Sequence, residues 1–391
     1  QEVIAARERF IPIVHRAEML GELMRLRWSI AVAGTHGKTT TTSLIATLLN
    51  SANIDPTVIN GGIITGWGSN ARLGKGRWMV VEADESDGSF AKLKPTVAVV
   101  TNIDPEHLDY HGNFEALENA FLNFVASIPF YGFATLCIDH PSVQRLMAGI
   151  KDRRIITYGM FATADIRAIN MRVVGASMVF DVQLSDRAAV DAPIITDIRL
   201  PMLGDHNVQN CLAAIAVALE MNIKADAIRN ALAAFGGVAR RFETKGVSHG
   251  VTIIDDYGHH PVEISAALKA GRMMCGKHKL VAVVQPHRFS RLADLFVDFC
   301  GCFHDADEVL VADVYAAGET PIKGINRDAL VSGLRDHGHK AASALLHRDD
   351  LASEIKARTS GGDLVMCLGA GDITNWAANL PDELEKLGRT E

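Results

Sequence analysis

Several features that would place a chain outside the ordinary globular class are missing from this sequence. No apolar run is long enough to cross a membrane; the longest, Cys211 to Leu219, falls far below the ~20 residues a bilayer requires. Positive charge is not in excess. Against 46 Asp and Glu stand 39 Lys and Arg, a formal net charge of −7, which argues against a nucleic-acid partner, where a basic face is the electrostatic footprint. Six cysteines scattered over 391 residues make no disulfide framework and point to a reducing cytoplasm. The start lacks the basic-then-apolar order of a signal peptide, because Arg7, Glu8 and Arg9 interrupt it. It also lacks an initiator Met, as a piece of a longer protein would. No internal repeat stands out. What remains is 48% hydrophobic and 22% charged, the balance of a globular protein long enough for two domains or three.

Short strands and amphipathic helices alternate along the first half. Trp28–Ala33, Trp78–Ala83 and Val97–Asn102 are largely apolar runs, the last two with acidic or polar ends. Phe114, Leu117, Phe121, Phe124, Val125 and Ile128 recur at helical spacing. The alternation predicts parallel strands covered by helices on both faces. From Asp165 to Leu200 the period changes to two, as in half-exposed antiparallel strands. Helices follow from Asn207 to Met221 and on to Phe235, and Gly236-Gly237 marks a domain boundary. Beyond Arg241, strands at Val251–Asp255, Leu280–Gln285, Glu308–Asp313 and Asp363–Leu368 alternate with helices as a second doubly wound sheet. The fold class expected is α/β: a P-loop-type ATPase domain with a parallel sheet plus a small antiparallel sheet, then a Rossmann-like domain.

The densest chemistry lies at Gly34-Thr35-His36-Gly37-Lys38-Thr39-Thr40, between the first strand and a helix. Glycines there let backbone N–H groups approach a polyphosphate, Lys38 adds a compact positive charge, and the Thr39 hydroxyl can ligate Mg²⁺. The usual loop has a further glycine where Val32 stands, so this is a shortened variant. The competing reading is a turn that binds nothing. After the second strand come Glu82, Asp84, Glu85 and Asp87, four carboxylates in six residues; a divalent cation beside a nucleotide would neutralise them, with Glu82 the first candidate ligand, and a solvated acidic loop is the alternative. The third strand ends in Asn102, Asp104, Glu106 and His107, where His107 is either a metal ligand or structural. Asn207 can cap the following helix, and the Asn210 amide, one turn on, is suited to an adenine edge. Arg240-Arg241 suits a transferring phosphoryl group or plain solvent. Asp256 suits a ribose hydroxyl, or the loop is simply a helix cap with Pro261 near N1. Arg288 and Arg291, three apart, can share a helical face and grip a carboxylate. Cys300 and Cys302 with His304 nearby offer metal ligands, but Leu292, Leu295, Phe296 and Phe299 on one helix running into them favour packing.

Taken together these segments resemble the Mur ligases, ATP-dependent enzymes that append amino acids to the peptidoglycan precursor. The resemblance covers essentially the whole chain. It rests on the 34–40 loop, Glu82–Phe90, Asn102–Asp109, His206-Asn207 with Asn210, Arg240-Arg241-Phe242, Asp255–Pro261, Gln285–Arg288, Asp313–Glu319 and Gly369–Asp372. It implies a muramyl lactyl carboxylate phosphorylated by ATP and then attacked by an amine, with UDP-N-acetylmuramate and L-alanine as substrates. It implies Mg²⁺, or Mn²⁺, on Thr39, Glu82 and His107, with Lys38 and Arg241 offsetting phosphoryl charge. Asn207, Asn210 and Asp256 would hold the nucleoside. Ser86, Tyr257, His259, His287, Arg288 and Arg291 would face the substrates, with Arg291 on the alanine carboxylate. Related ligases use a carbamylated lysine after the His107 segment, yet 113–128 contains no lysine, as in the alanine-adding branch. The sister reading is a recycling ligase that attaches a whole tripeptide, and a reading from another class is an idle ATP-binding module. The family's domains would fall at 27–236 for ATP and 237–391 for the amino acid, with 1–26 only the tail of a UDP-binding domain. Weak affinity for the UDP sugar is therefore expected of this chain, with ATP binding intact. The resemblance leaves oligomeric state open.

Overall fold

The computed structural model describes residues 1–188 and 193–388. Contacts divide the chain into two compact units, one of residues 1–172, 178–201 and 205–236, the other of 173–177, 202–204 and 237–391. Strands in chain order are β1 (Trp28–Ala33), β2 (Thr57–Ile64), β3 (Ser69–Arg72), β4 (Trp78–Glu82), β5 (Val97–Val100), β6 (Phe133–Cys137), β7 (Arg154–Gly159), β8 (Ile166–Val174), β9 (Ser177–Leu184) and β10 (Ile194–Leu200). They form one sheet in the order β10-β9-β8-β7-β6-β5-β1-β4-β2-β3. β2, β4, β1, β5, β6, β7 and β8 pair parallel in that order, while β3 pairs antiparallel with β2 and β10 with β9. The period-two strands are therefore hydrogen-bonded onto the edge of the parallel sheet and continue it.

β5 and β6 are buried at every residue, which explains why they read as continuous apolar runs. The helix Lys38–Ser51 packs against the helix Asp205–Glu220. Two of its hydroxyls bond back to the preceding turn, Ser43 donating to the Thr39 carbonyl at 2.8 Å and the half-buried Thr47 to that of Ser43 at 2.8 Å. The facing helix begins at Asp205, so Asn207 lies within its first turn and is not its cap. Phe90, fully buried against Phe121 and Phe124 with ring centroids 4.9 and 5.4 Å away, anchors the loop after β4. Burial of such a side chain stabilises by about 2–3 kcal/mol.

In the second unit β11 (Glu243–Ser248), β12 (Val251–Asp256), β13 (Leu280–Val284), β14 (Glu308–Val311), β15 (Ala342–Ala344) and β16 (Leu364–Leu368) run in the order β11-β12-β16-β13-β14-β15, with only β11 antiparallel. The last strand lies between β12 and β13, a topological switch of the kind where open α/β sheets collect ligands. The stretch expected as one helix before Cys300 is two, Phe289–Asp294 and Phe296–Gly301, broken at Leu295. Cys300 and Cys302 are buried and free, and among the described residues they join no three-ligand cluster with His304.

Candidate active site

In the first unit the register Val32↔Glu82 and Ala33↔Val100 sets the ends of β4 and β5 on either side of the loop that leaves β1. Gly34 (φ 137°) and Gly37 (φ 80°) are in the left-handed half of backbone space. A Cβ on Gly34 would also collide with the Thr101 hydroxyl, and one on Gly37 with the Asn210 amide oxygen. The end of β5 clamps the loop: the His36 N–H donates to Asn102 Oδ1 at 2.7 Å, and the His36 carbonyl accepts from Thr101 Oγ1 at 2.6 Å and Asn102 Nδ2 at 3.1 Å. The Thr35 N–H donates to the Asn102 carbonyl at 3.1 Å. The helix that starts at Lys38 brings N–H groups without intrahelical partners to this loop, an anion-binding arrangement.

Lys38 Nζ donates to the carbonyls of Gly34 (2.7 Å) and Thr35 (3.1 Å) and to Glu85 Oε1 (3.0 Å), with Oε2 at 2.8 Å. Burial pulls the Lys38 pKa down, but Glu85, Glu82 and Asp84 more than offset it, so the ammonium titrates above its ordinary value. Burial pushes the Glu85 carboxyl up to about 7 even with Lys38 beside it.

Glu82 Oε2 accepts the Gly61 N–H at 2.7 Å, and the buried Thr39 occupies the second position of the loop helix. His107 has φ 57° ahead of the short helix Leu108–His111, its ring 3.9 Å from Glu106. The Thr39 hydroxyl and Glu82 carboxylate are oxygen donors that suit Mg²⁺ and Mn²⁺, whereas the His107 imidazole is a donor more usual for softer divalent metals. Among the described residues neither Glu82 nor His107 belongs to a cluster of three His, Cys, Asp or Glu ligands, so an ion there would complete its shell with Thr39, nucleotide oxygens or water. Ser86 sits on the acidic loop, its N–H donating to Asp84 Oδ1 at 3.0 Å. Thr40 is buried. Asn210 Oδ1 accepts the Thr41 hydroxyl at 3.2 Å and its amide lies 3.4 Å from Asn207 Oδ1, so this pair braces the start of the loop helix.

In the second unit the ends of β12 and β13 carry an aromatic and basic cluster. Tyr257 lies under two guanidinium groups, Arg240 at 4.8 Å and Arg241 at 5.1 Å, and edge-on to His259. The two arginines are not equivalent. Arg240 donates to the Gly369 and Gly371 carbonyls at 2.9 and 3.2 Å and ties the turn after β16. Arg241 lies 3.6 Å from Glu263. Asp256 is buried, with each carboxylate oxygen accepting a backbone N–H at 2.7 Å, from Phe242 and from Gly258. Burial pushes its carboxyl up to about 6 despite Arg241. His287 stacks on Tyr315 at 5.4 Å, and Arg291 reaches its Nδ1 at 3.3 Å. Burial, then Arg291, His259 and Arg288, pulls the His287 imidazole down to about 4. It is therefore neutral, and its Nδ1 accepts from Arg291. Arg288 (φ 72°) precedes the helix that carries Arg291, so the two do not share a helical face.

The Mur ligase middle domain family matches residues 32–218, and the Mur ligase glutamate ligase domain family matches 240–371. The UDP-N-acetylmuramate–L-alanine ligase of Acidiphilium cryptum is 59% identical over 389 residues, 100% of this chain and 81% of that one. The chain belongs to the Mur ligase family. Among solved structures, this Mur ligase is similar to the UDP-N-acetylmuramate–alanine ligase of Thermotoga maritima (TM-score 0.81, 25% identity, 100% and 83% of the two chains). It shares its fold with a MurF ligase of Thermotoga maritima in complex with ADP (TM-score 0.74, 20% identity, 96% and 86%).

Within this Mur ligase the first unit brings Lys38, Thr39, Glu82 and the loop of His107 to one sheet edge, with Asn207 and Asn210 behind the loop helix. The second unit gathers Arg241, Asp256, Tyr257, His259, His287, Arg288 and Arg291. Two residues that sequence reasoning passed over are prominent. In the sequence Glu85 is one of four clustered carboxylates, of which Glu82 is the first candidate ligand; burial singles Glu85 out. Asp104 lies between two imidazoles, 3.5 Å from His36 and 3.2 Å from His140. Only its place at a strand end signalled it.

Proposed function

We propose that this Mur ligase joins L-alanine to the lactyl carboxylate of UDP-N-acetylmuramate at the expense of ATP. The observation that carries the reading is the loop around Lys38, a cationic, N–H-rich turn flanked by an acidic strand end and an imidazole-bearing one. The full-length likeness to alanine-adding ligases supports the substrates, and the six free, buried cysteines support a reducing cytoplasm.

A lactyl carboxylate oxygen attacks the γ-phosphorus, and the bond from that phosphorus to the β–γ bridging oxygen breaks, releasing ADP. The alanine nitrogen then attacks the acyl carbon, loses a proton, and inorganic phosphate leaves with the former carboxylate oxygen. Lys38 and the helix N–H groups hold charge on the phosphates, and positioning supplies much of the acceleration. Mg²⁺ on Thr39, Glu82 and His107 supplies further charge neutralisation when bound. Arg241, Asn207, Asn210 and Asp256 are assigned to the nucleotide, as the resemblance implies, and Ser86, Tyr257 and His259 to the substrates. Neutral His287 orients Arg291 for the amino-acid carboxylate, with Arg288 beside it.

Mass analysis of the product tests this. Incubation with ATP, Mg²⁺, UDP-N-acetylmuramate and equal L-alanine and tripeptide is expected to yield the single-alanine adduct. Tripeptide adduct alone, or no adduct, contradicts it.

A further inference from the structure

The three ammonium protons of Lys38 are matched by three acceptors: the Gly34 carbonyl, the Thr35 carbonyl and the Glu85 carboxylate. A phosphate oxygen can therefore reach this nitrogen only by taking the place of one of them. Two are neutral and belong to the loop itself. The third is an anion in the position a phosphate would want, 2.8 Å away, with its side chain 1% exposed. We propose that Glu85 is an internal counter-ion that occupies Lys38 and competes with the incoming polyphosphate, so that this carboxylate sets the nucleotide affinity of the loop. The inference rests on the reading of the Lys38 loop given under Proposed function.

The surroundings fix Glu85 as a competitor. Its own carbonyl accepts from the Gly88 N–H at 3.0 Å and lies 2.9 Å from His111 Nε2, so the loop after β4 is pinned to the turn after β5. Gly88 (φ 63°) allows Tyr110 to pack against that loop. The backbone of Glu85 is thus held, and only rotation of its side chain can take the carboxylate off Lys38. Asp84 and Glu82 also stand near the same ammonium and add to the negative charge there. A polyphosphate arriving at Lys38 meets like charge on Glu85, and charges a few ångströms apart in a buried site repel strongly. A residue that only braced the loop would help nucleotide binding. A competitor hinders it, and removing its charge improves affinity.

Calorimetric titration of the full chain with ADP, and separately with adenosine, distinguishes these roles. Glu85→Gln keeps shape and removes charge. It is expected to bind ADP about tenfold more tightly, about 1.4 kcal/mol, with adenosine affinity unchanged because adenosine carries nothing to Lys38. Its melting temperature without nucleotide is expected to fall and the ADP-induced rise to grow. Glu85→Asp, one methylene shorter, is expected to lie between and carries the test if the Gln variant does not fold. ADP binding unchanged or weakened in the folded variant overturns the inference while leaving the loop's function intact. A wild-type chain that binds no ADP overturns the function reading and this inference with it.

Discussion

The buried Glu85 and the half-buried His287 give the residue scale its sharpest expectations. Replacing Lys38 with Met leaves Glu85 buried without its counter-ion, and breaking a buried pair from one side costs about 3–5 kcal/mol. Burial raises the folded-state pKa of Glu85, and loss of Lys38 raises it further. A carboxyl whose folded pKa exceeds its unfolded value contributes stability that is present at low pH and lost as pH rises through the folded pKa. Urea melts of Lys38→Met are therefore expected to show a large penalty at pH 8.5 that shrinks towards pH 5, and an equal penalty at both would contradict the pairing. His287 runs the other way. Its pKa is held down near 4, so the unfolded chain takes up a proton between about pH 6.5 and 4 that the fold refuses, and this group subtracts stability as pH falls through that window. The NMR signal of its ring is expected to stay that of neutral imidazole at pH 5.5, and titration near 6.5 would show that Arg291 does not donate to it. Lys38, Glu82 and His107 were legible as candidates because their residue types and strand ends are written in the chain. The division of labour among carboxylates was not, because only the folded environment distinguishes the buried Glu85 from the exposed Asp84.

At the scale of elements, the loop between β1 and its helix depends on glycine for two separable reasons. Gly34 and Gly37 combine positive φ with a close neighbour, whereas Gly175, between β8 and β9, has φ 61° and nothing within 4 Å of a new Cβ. Gly175→Ala is expected to cost about 1 kcal/mol, the backbone effect alone. Gly37→Ala adds displacement of Asn210 and is expected to cost about 2–3 kcal/mol and at least tenfold in ADP affinity. Paired chemical denaturation and ADP titration check both, and equal costs at the two sites would remove the steric half of the explanation. Strands buried on both faces, such as β1, β5 and β13, announce themselves as unbroken apolar runs. β2 does not, because Gly61-Gly62 interrupts it, and β15 is three small residues long. The apparent single helix before Cys300 kept its apolar spacing across a break at Leu295, since periodicity reports the buried face and not backbone continuity.

At the scale of the whole molecule, each unit presents the carboxyl ends of parallel strands, the edge where α/β sheets hold ligands. One edge is equipped for a polyphosphate and the other carries guanidinium groups around a neutral imidazole. Much of this was readable because the motifs fall where strands end. The tying roles of Arg240 and Asn210 were not, because each depends on a partner far away in sequence, Gly369 for Arg240 and Thr41 for Asn210. Hydrogen exchange should show ADP slowing the amides of 34–41 and 101–107, and no change there would separate the loop from the nucleotide. In the proposed reaction a carboxylate is activated by accepting the γ-phosphoryl group. It is tested most directly with UDP-N-acetylmuramate labelled with ¹⁸O in its lactyl carboxylate. With ATP and L-alanine, one labelled oxygen is predicted in the released inorganic phosphate for each amide formed. Phosphate released without label, while the alanine adduct accumulates, would contradict the account.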